Sequence, residues 1–227
     1  MNTNNIFLAK FLIISDEHHE IVDLLNPSEK YELLPGFDVP KVIGATGGIL
    51  QKTPIVCGGW DGNNYINYDD CVVIGKPEKN IKMLEERTGA ASVVLNQTTL
   101  WVVGGNAIQQ PSTEFIRLGQ PSVAGPVLPF TISNHSMVQY DEKSIYIIGG
   151  YKNGYLTNKT WIVDPTDGFQ IKEGPSLNGG RANHGCAKMN LYGRTVLVIA
   201  AGSESVFGYL DSVEILDPAE NTGWTPG

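Results

Sequence analysis

Apolar residues along this chain come in short β-branched runs that end in small residues, and little of it carries the 3.6-residue stripe of an amphipathic helix. The runs recur. Ile55-Val56-Cys57-Gly58-Gly59 is followed by Leu100-Trp101-Val102-Val103-Gly104-Gly105, by Ile145-Tyr146-Ile147-Ile148-Gly149-Gly150 and by Leu197-Val198-Ile199-Ala200-Ala201-Gly202. Their last glycines are 46, 45 and 52 residues apart. An earlier run, Phe11 to Asp16, reads as a further copy without the glycines. Upstream of three doublets lie alternating runs, Ala90 to Leu95, Ser136 to Tyr140 and Gly185 to Leu191, two of them opened by Asn134-His135 and Asn183-His184.

Downstream, strand-like runs close at Asn26-Pro27, Asp164-Pro165 and Asp217-Pro218, where proline ends the ladder. Val72 to Gly75 and Thr113 to Leu118 fill the same slot in the middle copies. Each repeat thus predicts four short strands: a, b ending in the small doublet, c ending near the proline, and d. A single four-stranded sheet of this size cannot bury both faces, so the copies must stack. Radial stacking of such sheets is a β-propeller, giving an all-β fold of four-stranded antiparallel blades. The blades fall at 11–40, 44–86, 89–131, 134–180 and 183–227 within one domain, 1–227. The first lacks its strand a and the last stops as strand d begins, so the expected ring is incomplete or open, or the chain is a fragment.

These residues resemble kelch repeats over nearly the whole chain. The resemblance rests on the doublets Gly58-Gly59, Gly104-Gly105 and Gly149-Gly150, an aromatic some residues later (Tyr65, Tyr155), the Asp-Pro after strand c, Trp224 early in strand d, and Arg87 and Arg181 just before a new strand a. The phrasing around Cys57 and Cys186 is closest to invertebrate kelch proteins of extracellular type. Three departures stand out: the first repeat lacks glycines, the fourth doublet is Ala201-Gly202, and Ile81, Val127 and Phe169 stand where the family has a strand-d tryptophan.

The resemblance implies a non-catalytic scaffold that binds another protein of unknown identity. It implies two alternatives: a sugar-modifying kelch enzyme, oxidase or epimerase, and the substrate-binding fragment of a BTB-kelch ubiquitin-ligase adaptor. A kelch copper oxidase needs a Cys–Tyr pair, a second Tyr and two His. Cys186, Tyr192 and His184 lie near one another in sequence but make no complete set.

Composition narrows the partners. In 227 residues there are 16 Lys+Arg against 24 Asp+Glu, a net charge of −8, which repels phosphate backbones and argues against nucleic acid. The apolar runs are far too short for a helical membrane span. The N-terminus reads as a strand rather than a signal peptide, because Lys10 interrupts the apolar run and no basic residue precedes it. That leaves the compartment open between cytoplasm and exterior. Three glycosylation sequons, at Asn96, Asn134 and Asn158, are about what the Asn, Ser and Thr content supplies by chance.

The glycine doublets read as tight turns, since no Lys-Ser/Thr or helix follows them to cradle a phosphate. Trp101, Trp161 and Trp224 read as packing between blades. Trp60 opens a loop of aromatics, amides and carboxylates, and the candidate partner-binding residues are Trp60, Asp61, Asn63 and Tyr65 in that b–c loop with Tyr151, Lys152 and Tyr155 in its counterpart two repeats on. Asp61, Asp69 and Asp70 lack the spacing of a calcium loop, and His18, His19, His135 and His184 lack zinc spacing. His135 and His184 share a phase and read as structural residues bonded to nearby backbone. No catalytic residue, metal or cofactor is expected. Cys57 and Cys71, at the end of b and the start of c, either form a disulfide or are two buried thiols.

Overall fold

The computed structural model describes residues 42–62, 66–105, 112–205, 208–220 and 222–227, and the backbone alone of 10–14 and 19–23. Four four-stranded antiparallel sheets succeed one another, each a meander with its strands in chain order. Sheet I holds Thr46–Leu50, Thr53–Cys57, Asp70–Val73 and Ile81–Lys82 as strands a to d. Sheet II holds Ala90–Leu95, Thr99–Gly104, Thr113–Ile116 and Val123–Ala124. Sheet III holds Ser136–Asp141, Ser144–Ile148, Thr160–Asp164 and Gln170–Glu173. Sheet IV holds Gly185–Leu191, Arg194–Ala200, Val213–Leu216 and Thr225–Pro226. Ahead of them, Lys10–Ile14 and His19–Asp23 pair as a hairpin. Among the described residues the only helix is a 3-10 turn, Pro77–Lys79. The fold is all-β, and the sheets form an open propeller arrangement.

Strand alternation explains the stacking. In strand b of sheet II, Leu100 and Val102 join Ile55, Cys57 and Val73 of sheet I, while Trp101 and Val103 join Ile145, Ile147 and Trp161 of sheet III. In strand b of sheet III, Tyr146 and Ile148 turn the other way and pack on Leu197, Ile199 and Trp224. A strand with apolar residues on both faces must be covered twice, and burying each Leu, Ile or Val contributes about 1.5–3 kcal/mol. Trp101, Trp161 and Trp224 therefore lie between sheets.

Not every strand-d substitute takes the same role. Ile81 is buried in the first interface and Phe169 packs on Trp101 with ring centroids 4.9 Å apart. Val127, however, is 77% exposed, and its neighbour Leu128 enters the core instead. The short second-sheet strand d stops at Ala124, so the following segment is free to turn the alternate side chain inward.

A backbone chain joins the sheets at equivalent positions. Gly89 N–H donates to Gly44 O at 2.8 Å, Asn134 N–H to Gly89 O at 2.7 Å, and Asn183 N–H to Asn134 O at 2.8 Å. All four residues have positive φ, between 52° and 71°. At the doublets the same contact repeats one residue later in the turn: Gly59, Gly105 and Gly150 donate to the carbonyls of Arg87, Ile132 and Arg181. A Cβ on Gly104 would stand 2.2 Å from Ile132 O, so this approach needs glycine.

Those bonds make Arg87, Ile132 and Arg181 structural equivalents. Strand register does the same for strand c, pairing Val102 with Glu114, Ile147 with Trp161 and Ile199 with Glu214. Arg87 Nε donates to Glu114 Oε1 at 2.9 Å, and Arg181 Nη2 donates to Glu214 Oε1 at 2.7 Å. Both arginines also cap the end of strand b, at Gly104 O and Ala201 O respectively. Between sheets II and III the same two positions are Ile132 and Trp161, both in the apolar core.

Candidate functional site

The b–c ends of sheets I, III and IV are built in one way. The residue after the small doublet bridges two neighbours at once: Trp60 pairs with Ile43 and Asn67, and Ser203 with Ala182 and Tyr209. In sheet III the bridge widens into a three-stranded patch, Ile132–Ser133, Tyr151–Lys152 and Tyr155–Leu156, with Tyr151 paired to Ser133 and Leu156. The patch turns at Asn153 and Gly154, whose φ of 50° and 83° suit a tight type I′ hairpin. These three b–c connections are thus pinned on both sides rather than loose.

Trp60, Asp61, Tyr151, Lys152 and Tyr155 all sit on this end. Asp61 Oδ1 accepts a hydrogen bond from Ile66 N at 3.4 Å, which closes its loop. Asn63 and Tyr65 lie outside the described residues, as does the corresponding connection of sheet II, 106–111. Trp60 and Asp61 belong to sheet I and the other three to sheet III, so the two groups stand two blades apart on one rim.

Lys152 is held from below. Its Nζ lies 4.9 Å from the Phe130 ring and 5.2 Å from Trp161, and those two rings are 4.4 Å apart. Cation–π attraction to both rings keeps the ammonium over the interface between sheets II and III. Tyr155 is 80% exposed. Tyr209, 85% exposed on the same end of sheet IV, is a rim aromatic that sequence reasoning missed. The signal was present in Gly208-Tyr209, which repeats Gly154-Tyr155 slightly later after its doublet.

Below the rim, His135 and His184 immediately precede strand a of sheets III and IV, packed against the doublets. A Cβ on Gly150 would meet His135 Cβ at 2.7 Å, and one on Gly202 would meet His184 Cβ at 2.9 Å. The expected bonds to backbone are not made. Both ring nitrogens of His135 and Nδ1 of His184 have no partner among the described residues, while His184 Nε2 shares a hydrogen bond with Ser136 Oγ at 2.7 Å. The doublets pack against both residues, and both side chains are buried. Burial drives the pKa of His135 down to about 3, helped by His184. Burial likewise lowers His184 to about 4, with the Arg181 charge adding to it. Both rings are neutral at pH 7, and such weak bases hold protons poorly there.

Cys186 is half-buried. Its thiol donates to Met137 O at 3.2 Å, and burial pushes its pKa up. Tyr192 is fully exposed in the turn after the same strand, six residues on and therefore about 20 Å away at strand rise. Those two side chains do not come together. Among the described residues no three or more His, Cys, Asp or Glu cluster as metal ligands, and no helix is long and apolar enough to cross a membrane.

Cys57 and Cys71 are joined in a disulfide between neighbouring strands b and c of sheet I, directly opposite in register and both fully buried. Cys186 is the free thiol.

No known family profile matches this chain, and no curated protein matches it.

Proposed function

We propose that the chain is a kelch-type propeller segment acting as a non-catalytic scaffold for another protein, which docks on the b–c rim. One observation carries the reading: three sheets pin their b–c connections by the same double bridge, and two of those connections hold a largely exposed tyrosine, Tyr155 and Tyr209. A rigid platform with exposed aromatics loses little conformational entropy on binding, and aromatics are frequent anchors in interfaces. The phased glycine doublets and the paired arginines support the kelch assignment. The buried disulfide supports an oxidising compartment.

Photo-crosslinking tests this. A crosslinking residue at 155 or 209 should trap a protein partner in an extract of the native source, while the same residue at 142, on the opposite end of sheet III, should trap none. Equal yields at all three positions, or none at 155 and 209, would remove the rim from consideration.

A further inference from the structure

We propose that Asn96 carries an N-linked glycan and that Asn134 and Asn158, although both lie in sequons, do not. All three positions satisfy the Asn-x-Ser/Thr pattern, so the pattern cannot choose among them. The fold can.

Asn96 is exposed at the tip of the hairpin joining strands a and b of sheet II. Asn96 and Gln97 have φ of 49° and 58°, and Thr98 N–H closes the turn on Leu95 O at 3.2 Å. The acceptor amide thus projects from the apex of a tight turn, with Thr98 also exposed. Asn96 also stands at the mouth of a cavity of about 490 Å³ lined by Phe115, Arg117, Gln139 and Phe169, which leaves room for the first sugars.

The other two asparagines are committed. Asn158 Nδ2, the atom that would be glycosylated, donates to Leu177 O at 3.1 Å, while the Asn158 backbone carbonyl accepts from Leu177 N–H at 2.8 Å. Its sequon threonine, Thr160, is completely buried. Asn134 belongs to the backbone chain that joins the sheets, and its Oδ1 lies 1.9 Å from where a Gly89 Cβ would stand. Its sequon serine is buried against His184. A glycan at Asn134 would pull apart a joint between sheets, and one at Asn158 would break the bonds that tie Leu177 to the start of strand c in sheet III.

The disulfide is an independent observation pointing to the same compartment. Cys57 and Cys71 oxidise where secreted chains fold, which is where asparagine glycosylation takes place. In the reaction Asn96 Nδ2 attacks the anomeric carbon of a polyisoprenyl-pyrophosphate-linked oligosaccharide. The C–N bond forms, the C–O bond to pyrophosphate breaks, polyisoprenyl pyrophosphate departs, and the amide proton passes to a base of the transferase.

The test is translation of the full chain behind a cleavable secretory leader in a cell-free system containing microsomes, followed by digestion and mass mapping of glycopeptides. One glycan is expected, on the peptide holding Asn96, and removal by an amidase that converts the asparagine to aspartate should mark that residue alone. Asn96→Gln and Thr98→Ala should each abolish the gel shift, and Gln97→Ala should keep it. An unmodified Asn96, or a glycan on Asn134 or Asn158, overturns the proposal. Site mapping on the unsubstituted chain does not depend on any variant folding.

Discussion

Arg87 leaves sheet I and closes on Glu114 of sheet II, the pair being 2% and 1% exposed. Glu114 Oε2 is saturated as well, accepting from Leu84 N–H at 2.7 Å and Ser122 Oγ at 2.6 Å. One repeat later the equivalent positions are Ile132 and Trp161, and two repeats later Arg181 and Glu214 restore the ion pair. Both members change together. A lone buried charge costs several kcal/mol, so neither can be exchanged without the other.

Replacing Arg87 by methionine or Glu114 by leucine singly should lower unfolding free energy by about 3–5 kcal/mol, because the partner is left buried without its main counter-charge. Arg87→Met combined with Glu114→Leu should cost less than the two single losses added together, by at least about 1 kcal/mol. Urea unfolding of the four proteins closes this cycle. Additive losses would mean the two side chains act independently.

The cysteine pair predicts a thiol count. Denatured without reductant, the protein should show one reactive thiol, Cys186, and after reduction three. Because the bridge spans 14 positions of sequence, Cys57→Ser with Cys71→Ser should cost about 3 kcal/mol on a chain-entropy account. Thermal melts with and without reductant measure the same difference.

His135 and His184 make stability depend on acid. Their folded pKa values, about 3 and about 4, lie below the unfolded 6.5, so the unfolded chain takes up protons first. Their contribution is complete above pH 6.5 and is lost as pH falls towards 4 and then 3. Near pH 5 each histidine contributes a slope of about 1.4 kcal/mol per pH unit. His135→Gln should flatten the measured slope by about one proton's worth, read from denaturant midpoints across that window.

Two glycines in left-handed conformation should respond differently to alanine. Gly154, φ 83°, has nothing within 4 Å of its Cβ direction, so Gly154→Ala should cost only the backbone strain, about 1 kcal/mol. Gly104, φ 65°, faces Ile132 O at 2.2 Å, so Gly104→Ala adds overpacking and should cost about 3 kcal/mol. Equal losses at the two sites would show that the close approach is not maintained in solution.

Much of this architecture was legible in advance. Strand a of sheet II was read as Ala90 to Leu95 and that of sheet IV as Gly185 to Leu191, and both form with those bounds. A single four-stranded sheet was expected to need neighbours to cover both its faces, and Leu100 to Val103 find them on either side. The rim was legible only in part: Trp60 and Tyr151 fall in matching places, yet nothing in the sequence shows that both are bridged on two sides. The histidines were placed correctly in phase but assigned bonds they do not make.

The sequence by itself determined the repeat, the strands and the stacking, because period-2 alternation and phased turn residues are local properties of a chain. Tertiary structure alone decided which residues meet across sheets: Arg87 with Glu114, Cys57 with Cys71, Phe130 with Lys152. It also decided which of three identical sequons stands clear of the fold. Such pairings depend on how one sheet settles against the next, and that geometry is set by packing over many side chains at once, not by any short stretch of sequence.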